Sequence, residues 1–596
     1  MSGGGFGRTG LSGFTPAVYR ARRCDPARAR SRPVGESGKD FGREGLFGNP
    51  SDAPYRTLFP RRSRAGVMPR AADFPVILTA PDDGARKRRK NMTNKSNYTS
   101  PRFLIVGFDG LRPDCVTKED MPALRAFLDG HREWTNYLST FPTETYVNHP
   151  SIFSGGRPNE HGIIANAFFR RGKKGEDAVF VGSRVKSVES LGVEGLFTLP
   201  SLGERLARAG HTLRVYCANS AGSTRLQHHD AGKFPGHLNL CVHDFSTIVP
   251  EEEGRAIAER FEAVPLKFPD FDGNALLTKL FFEYELPRGL GDVTVLWYGE
   301  PDHSSHEFGL WDERTCAARK SADDEFAKVL DWWEREGRAA GVQLVVMSDH
   351  GHGVVVRHAD LLEPLRKAGF TVLRGEDVLH GADPESADVV AVGTYAVGLW
   401  FKDASQANLV RARDALMASP DTGLVFSQPV SKGSTDVEGL VPGTLSEALV
   451  FSDHVRGPDL RVVGRGDPEK GTLVMMEELP LHAGNHGGLL PQEVKCLLGA
   501  AGTMFPGAAR HDEPAGHDDL AVTIMMSLHL LDDKAQLPLP KGRFLKEAVG
   551  EVAEKAADAE RAVTETITLS CGDFTQYLKR RDYAGHRYVL EGGRVA

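Results

Sequence analysis

The sequence predicts an α/β protein: a central, mostly parallel sheet with helices on both faces and a smaller inserted subdomain. Three observations carry this expectation. From Arg102 onward, strand-length apolar runs alternate with helical patterns, the signature of a sheet covered on both sides. Those runs, such as 103–106 and 344–347, are far shorter than the roughly 20 apolar residues of a membrane helix. Between about 355 and 470 the alternation breaks into mostly β-like pieces, which marks an insertion.

Taken in order, residues 103–108 (Phe-Leu-Ile-Val-Gly-Phe) form a buried strand and 121–130 a short amphipathic helix. A helix at 199–209 ends at Gly210 and leads into a strand at 211–216. Residues 293–298 are a strand, 314–338 a long helix and 343–347 the next strand. Inside the insertion, 388–401 is β-like and 404–417 helical. The core resumes near Gly484, 520–531 is helical, and the chain from about 551 is helical and then extended. There is no internal repeat.

Composition sets the class. The 596 residues are 40% hydrophobic and 26% charged, as in soluble proteins with a sizeable core. Residues 1–91 carry 19 Lys and Arg against 8 Asp and Glu, whereas the remainder carries 54 against 72. The first 91 residues, rich in Gly, Arg, Pro and Ser, read as a disordered basic segment, either a tail for an anionic surface or an over-extended start before Met92. The acidic body does not suit a protein that coats nucleic acid, and it suits an enzyme whose positive charge comes from bound metal. Seven scattered cysteines without a C-x-x-C pair argue against a disulfide framework or a cysteine zinc site. With no apolar leader or membrane span in view, a cytoplasmic protein without membrane partners is expected.

Five segments present residues suited to metal and phosphate chemistry. Asp109-Gly110 follows the first strand. Asp302 and His306 stand four apart just after 293–298, one helical turn if the segment coils, with His303 as a bystander. Asp349-His350-Gly351-His352 follows 343–347, with His352 in a supporting role. His486 sits among glycines in 482–488. Thr145 lies just ahead of a helix expected at 148–153, where a helix N-terminus favours a phosphate oxyanion. Singly, each has an ordinary alternative: Asp-Gly is a common turn and threonine a common N-cap. Together, three Asp and three His suit zinc or manganese, and do not suit calcium cages or iron–sulfur clusters.

The order of these motifs resembles the alkaline-phosphatase superfamily, most closely its type I phosphodiesterase/nucleotide pyrophosphatase branch. The resemblance rests on F-D-G-L-R at 108–112, T-x-x-N-H at 145–149, R-P-N-E-H-G-I-I-A-N at 157–166, P-D-x-x-x-H at 301–306, S-D-H-G at 348–351 and N-H-G-G at 485–488. It spans about 102–545 and implies an alkaline-phosphatase-like catalytic domain within 92–596, with 355–470 as an inserted cap. It also implies two divalent metal ions, usually zinc in the family. One would be held by Asp302, His306 and His486, the other by Asp109, Asp349, His350 and the oxygen of Thr145. Thr145 would be the nucleophile and Asn166 would hold a phosphate oxygen. The chain departs from the branch at Val147, where proline is usual, at Ser154-Gly155-Gly156 in place of Thr-Gly, and in the insertion.

The resemblance implies hydrolysis of phosphodiester or pyrophosphate bonds in a small nucleotide-like phosphate ester through a phospho-threonine intermediate. A phosphonoacetate hydrolase of the same superfamily is the rival enzyme, for which Lys173 and Lys174 are the candidate pocket lysines. A sulfatase disagrees with Thr at 145, and a phosphomutase usually has Ser there. A metal-bound binding protein without catalysis disagrees with the complete ligand set.

Overall fold

The computed structural model describes residues 101–193, 198–531, 537–547, 549 and 562–595. The basic segment 1–91 and the helix expected from 551 lie outside the described residues.

The central sheet has eight strands: β1 (Arg102–Phe108), β2 (Arg132–Trp134), β3 (Leu213–Cys217), β4 (Leu238–Cys241), β5 (Val293–Tyr298), β6 (Val342–Ser348), β7 (Leu498–Ala501) and β8 (Ala509–His511), in the order β8-β2-β7-β6-β1-β5-β3-β4. From β6 to β4 all neighbours are parallel, and β7 joins β6 antiparallel. The sheet is therefore mostly parallel. Period-two alternation divides each central strand between two cores. Leu104, Val106 and Phe108 pack against the helices Pro122–Gly130, Phe271–Leu280 and Glu313–Trp332. Phe103 and Ile105 face the helices Thr145–Ile152, Leu202–Ala209 and His517–Ser527. Burial on both faces explains why these strands read as unbroken apolar runs.

Several helices differ from their expected bounds; the one expected at 520–531 spans His517–Ser527. The helix expected at 148–153 spans Thr145–Ile152, because the Glu144 carbonyl already accepts from the amides of Val147 and Asn148 at 3.0 and 2.9 Å. Pro150 therefore lies inside it rather than in its first turn. The helix expected from 199 begins at Leu202, after Ser201 caps the Glu204 amide. The long helix ends as α-helix at Trp332 and continues as a π-turn, Trp333–Gly337. There the buried Trp333 indole donates to the Val342 carbonyl at 2.9 Å.

Where the rhythm breaks, a second sheet of six strands lies between Val372 and Gly464, with the helix Gln406–Ala418 on an apolar core of its own. It touches the site through Tyr395, whose ring lies so close to Gly488 that a Cβ there would sit 2.6 Å from it. The described C-terminal residues form a three-stranded antiparallel sheet from Val563 to Arg594. Among the described residues no helix is long and apolar enough to cross a membrane.

Candidate metal centre

Parallel strands end together, so the loops beyond β1, β5 and β6 deliver their polar residues to one edge of the sheet. Asp109 follows β1, and its amide donates to the Tyr298 carbonyl at the end of β5. After β5 the chain coils into the helix Asp302–Phe308, which places Asp302 and His306 one turn apart. Asp349 and His350 follow β6. His486 arrives from the far end of the chain, where Gly484–Asn485 pairs antiparallel with Gly353 and Val354. Gly110, at φ +65°, allows the crowding: a Cβ there would lie 2.3 Å from the His352 ring and 2.9 Å from the Asp302 side chain.

The predicted residues converge in two clusters. In the first, His306 Nε2 lies 3.2 Å from His486 Nε2 and 3.3 Å from Asp302 Oδ1, and His486 Nε2 is 3.6 Å from that oxygen. In the second, His350 Nε2 lies 3.5 Å from Asp109 Oδ1 and from Asp349 Oδ2, while Thr145 Oγ1 is 3.0 Å from His350 Nε2 and 3.4 Å from Asp109 Oδ1. Ligands about 2.0–2.1 Å from a tetrahedral zinc stand about 3.3 Å apart, which is the spacing of both clusters. His350 Nε2 is also 3.9 Å from Asp302 Oδ1, so the clusters adjoin. The second is sealed, with Asp109, Asp349 and His350 fully buried. The first opens to solvent, with the His306 side chain 19% exposed.

The donor set fits cations. His306 Nδ1 faces the Gly484 carbonyl at 2.8 Å, His486 Nδ1 faces that of Thr143 at 2.6 Å, and His350 Nδ1 faces that of Gly351 at 3.1 Å. A carbonyl only accepts, so each Nδ1 carries a proton and each Nε2 is left for the cluster. Asp109 Oδ2 is occupied by Asn219 Nδ2 at 2.7 Å and Trp297 Nε1 at 2.9 Å, which reserves Oδ1. Asp349 Oδ2 is buried without a hydrogen-bond partner. So many converging acceptors must be neutralised by protons or metal. Without metal, protons do it: burial and the neighbouring Asp109 push Asp349 up, and the His350 imidazole, though burial opposes its charge, is held up to about 10 by Asp349 and Asp109.

Asn166 is fixed twice. Its amide donates to Glu144 Oε2, and its Oδ1 accepts from the Tyr146 amide at 3.0 Å, so its Nδ2 is the donor left over. His303 lies against Phe268, outside both clusters. Lys173 and Lys174 are solvent-exposed. Asn219 and Trp297 escaped sequence reasoning. Both lie at or just beyond strand ends, the signal that found Asp109, but neither is a metal-type residue.

The sequence pattern of the type I phosphodiesterase/nucleotide pyrophosphatase family matches residues 103–407. The chain is 32% identical over 262 residues to the bis(5'-adenosyl)-triphosphatase of Homo sapiens, covering 44% of this chain and 49% of the relative. It is 37% identical over 76 residues to the Mus musculus counterpart, covering 13% of this chain and 17% of the relative. The chain thus spans at most about half the length of these relatives. Murine ectonucleotide pyrophosphatase/phosphodiesterase 5 superposes with a TM-score of 0.50 at 18% identity, covering 75% of this chain and all of that one, and so shares the fold. The chain belongs to the type I phosphodiesterase/nucleotide pyrophosphatase family, within the alkaline-phosphatase superfamily.

Proposed function

We propose that the chain is a two-metal hydrolase that cleaves phosphodiester or pyrophosphate bonds of nucleotide-like small molecules, with Thr145 as nucleophile. The observation that carries this is the placement of Thr145: a buried hydroxyl on the first residue of a helix, 3.0 Å from His350 Nε2 and 3.4 Å from Asp109 Oδ1. A threonine hydroxyl is too weak a nucleophile at its ordinary pKa. Divalent cations such as zinc would be held by Asp302, His306 and His486 and by Asp109, Asp349, His350 and Thr145, and would supply the charge that lowers that pKa and neutralises the phosphate.

The remaining work falls to the protein. Thr145 Oγ1 attacks phosphorus and becomes phosphorylated as the leaving oxygen departs; water then cleaves the phospho-threonine. Asn166 Nδ2 and the Thr145 amide, which has no partner among the described residues, donate to a non-bridging oxygen as charge builds there. Burial of the second cluster keeps bulk water from the attacking hydroxyl. The relatives named for bis(5'-adenosyl) triphosphate point to nucleotide anhydrides as the first substrates to test.

The test is Thr145→Ala in the full chain. Turnover of bis-p-nitrophenyl phosphate and of dinucleoside polyphosphates should vanish while at least one metal site stays filled. An alanine variant that still turns over substrate would show that another group attacks.

A further inference from the structure

His352 takes no part in the scheme above, yet it lies at the centre of the first cluster. Its ring centroid is 5.3 Å from those of His306 and His486, and its side chain is 1% exposed. Its Nδ1 lies 3.0 Å from the Gly110 carbonyl oxygen, so the ring proton sits on Nδ1 and Nε2 bears a lone pair. That lone pair meets Asp302 Oδ1 at 3.0 Å. Two acceptors in such contact, buried together, need a positive charge on both. The backbone makes room for the ring on two sides: a Cβ on Gly110 would stand 2.3 Å from its Cε1, and one on Gly484 3.0 Å from its Cδ2. The four atoms of Asp302, His350, His352 and His486 fall within 4.8 Å of one another.

The geometry points to His352 as a further protein ligand of the cation assigned to Asp302, His306 and His486. This rests on the two-metal reading above and adds to it: the cation nearer solvent is held by three histidines and one carboxylate. The pattern Asp-His-Gly-His then contributes two ligands to two different cations, His350 to the buried one and His352 to its neighbour. The intervening Gly351 fits this division, because a Cβ there would collide with the Gln492 carbonyl oxygen at 2.1 Å.

The test uses zinc-loaded full chain, with bound zinc measured by atomic spectroscopy across a series of competing-chelator concentrations. His352→Gln keeps a side-chain amide able to donate to Asp302 but is a poor zinc ligand, and His352→Cys restores a strong one. His352→Gln should weaken one of two zinc ions by at least about tenfold, leave the other unchanged, and alter the visible spectrum of cobalt-substituted protein. His352→Cys should recover most of that affinity. If His352→Gln holds both ions as tightly as the parent, His352 is only a hydrogen-bonding neighbour of Asp302 and the proposal is wrong. A parent protein that binds no zinc would overturn the two-metal reading and this one with it. Two ions in the parent and both variants alike would remove this inference alone.

Discussion

Asn166 has one side-chain amide nitrogen to give, and two neighbours decide where it points. With its backbone amide on Glu144 and its Oδ1 on the Tyr146 amide, rotation of the side chain is blocked. Removing one preorganised donor to developing charge costs on the order of 100-fold in rate. Asn166→Ala should therefore lower kcat for a diester by about that factor with zinc content intact; a variant within threefold of the parent would remove Asn166 from the site. At this scale the sequence was legible where chemistry restricts residue type. Asp109, Asp302, His306, Asp349, His350 and His486 stood out because few other side chains bind divalent ions, and the structure brings all six together. Asn219 and Trp297 did not stand out, because holding Asp109 Oδ2 needs only an N–H and any of several residue types supplies one. His352 was visible but read as a supporting residue, since spacing along the chain does not reveal where Asp302 turns.

Among elements, one side chain, that of Thr143, makes two hydrogen bonds to the loop bearing His486. Thr143 Oγ1 donates to the Gly488 carbonyl at 3.0 Å and accepts from the Gly487 amide at 2.9 Å, while its own carbonyl receives His486 Nδ1. Thr143→Val keeps the shape, removes the hydroxyl and leaves two buried backbone groups unpaired, at about 1–3 kcal/mol. Denaturant unfolding should show that loss, and zinc should bind more weakly because the loop that carries His486 is loosened at Gly487 and Gly488; unchanged stability and zinc affinity together would contradict this account of the loop. The strands that carry the site were readable because both their faces are buried, which leaves continuous apolar runs. The six-stranded sheet was readable only as a break in rhythm. Its order pairs Ala396–Phe401 with Leu460–Gly464, about sixty residues apart, and pairing at that distance leaves no local trace. The helix at Thr145 began three residues early for a similar reason: the extended Glu144 that starts it is fixed by Asn166, a tertiary contact.

For the whole molecule, the site is a set of tethers. Residues from 109 to 486 meet at one point, so a cation bound there links segments that otherwise touch through their own packing. Each site at a free-ion concentration 100-fold above its Kd adds about 2.7 kcal/mol to the folded state. Tm should therefore fall on chelation and rise again with the logarithm of added zinc. A Tm indifferent to free zinc over three decades would mean that the clusters bind no ion in the native state.

A second global property follows from a buried histidine that belongs to neither cluster. His161, from the R-P-N-E-H-G stretch, accepts from the Ile163 amide at Nδ1 and donates through Nε2 to Ser151 Oγ at 3.0 Å, so the fold requires the neutral ring. Burial lowers its pKa from 6.5 to about 3. The unfolded chain thus binds a proton more readily than the folded one between these values. Stability is unaffected above pH 6.5 and declines as pH falls toward 3, with a limiting slope of about 1.4 kcal/mol per pH unit from this group. His161→Leu loses two hydrogen bonds and should be less stable than the parent at pH 7.5. Its stability should nevertheless decline less steeply between pH 6 and pH 4, so that the two curves approach one another on the acid side. Parallel curves in urea unfolding across that range would mean that the ring is charged, or free to become so, in the folded protein.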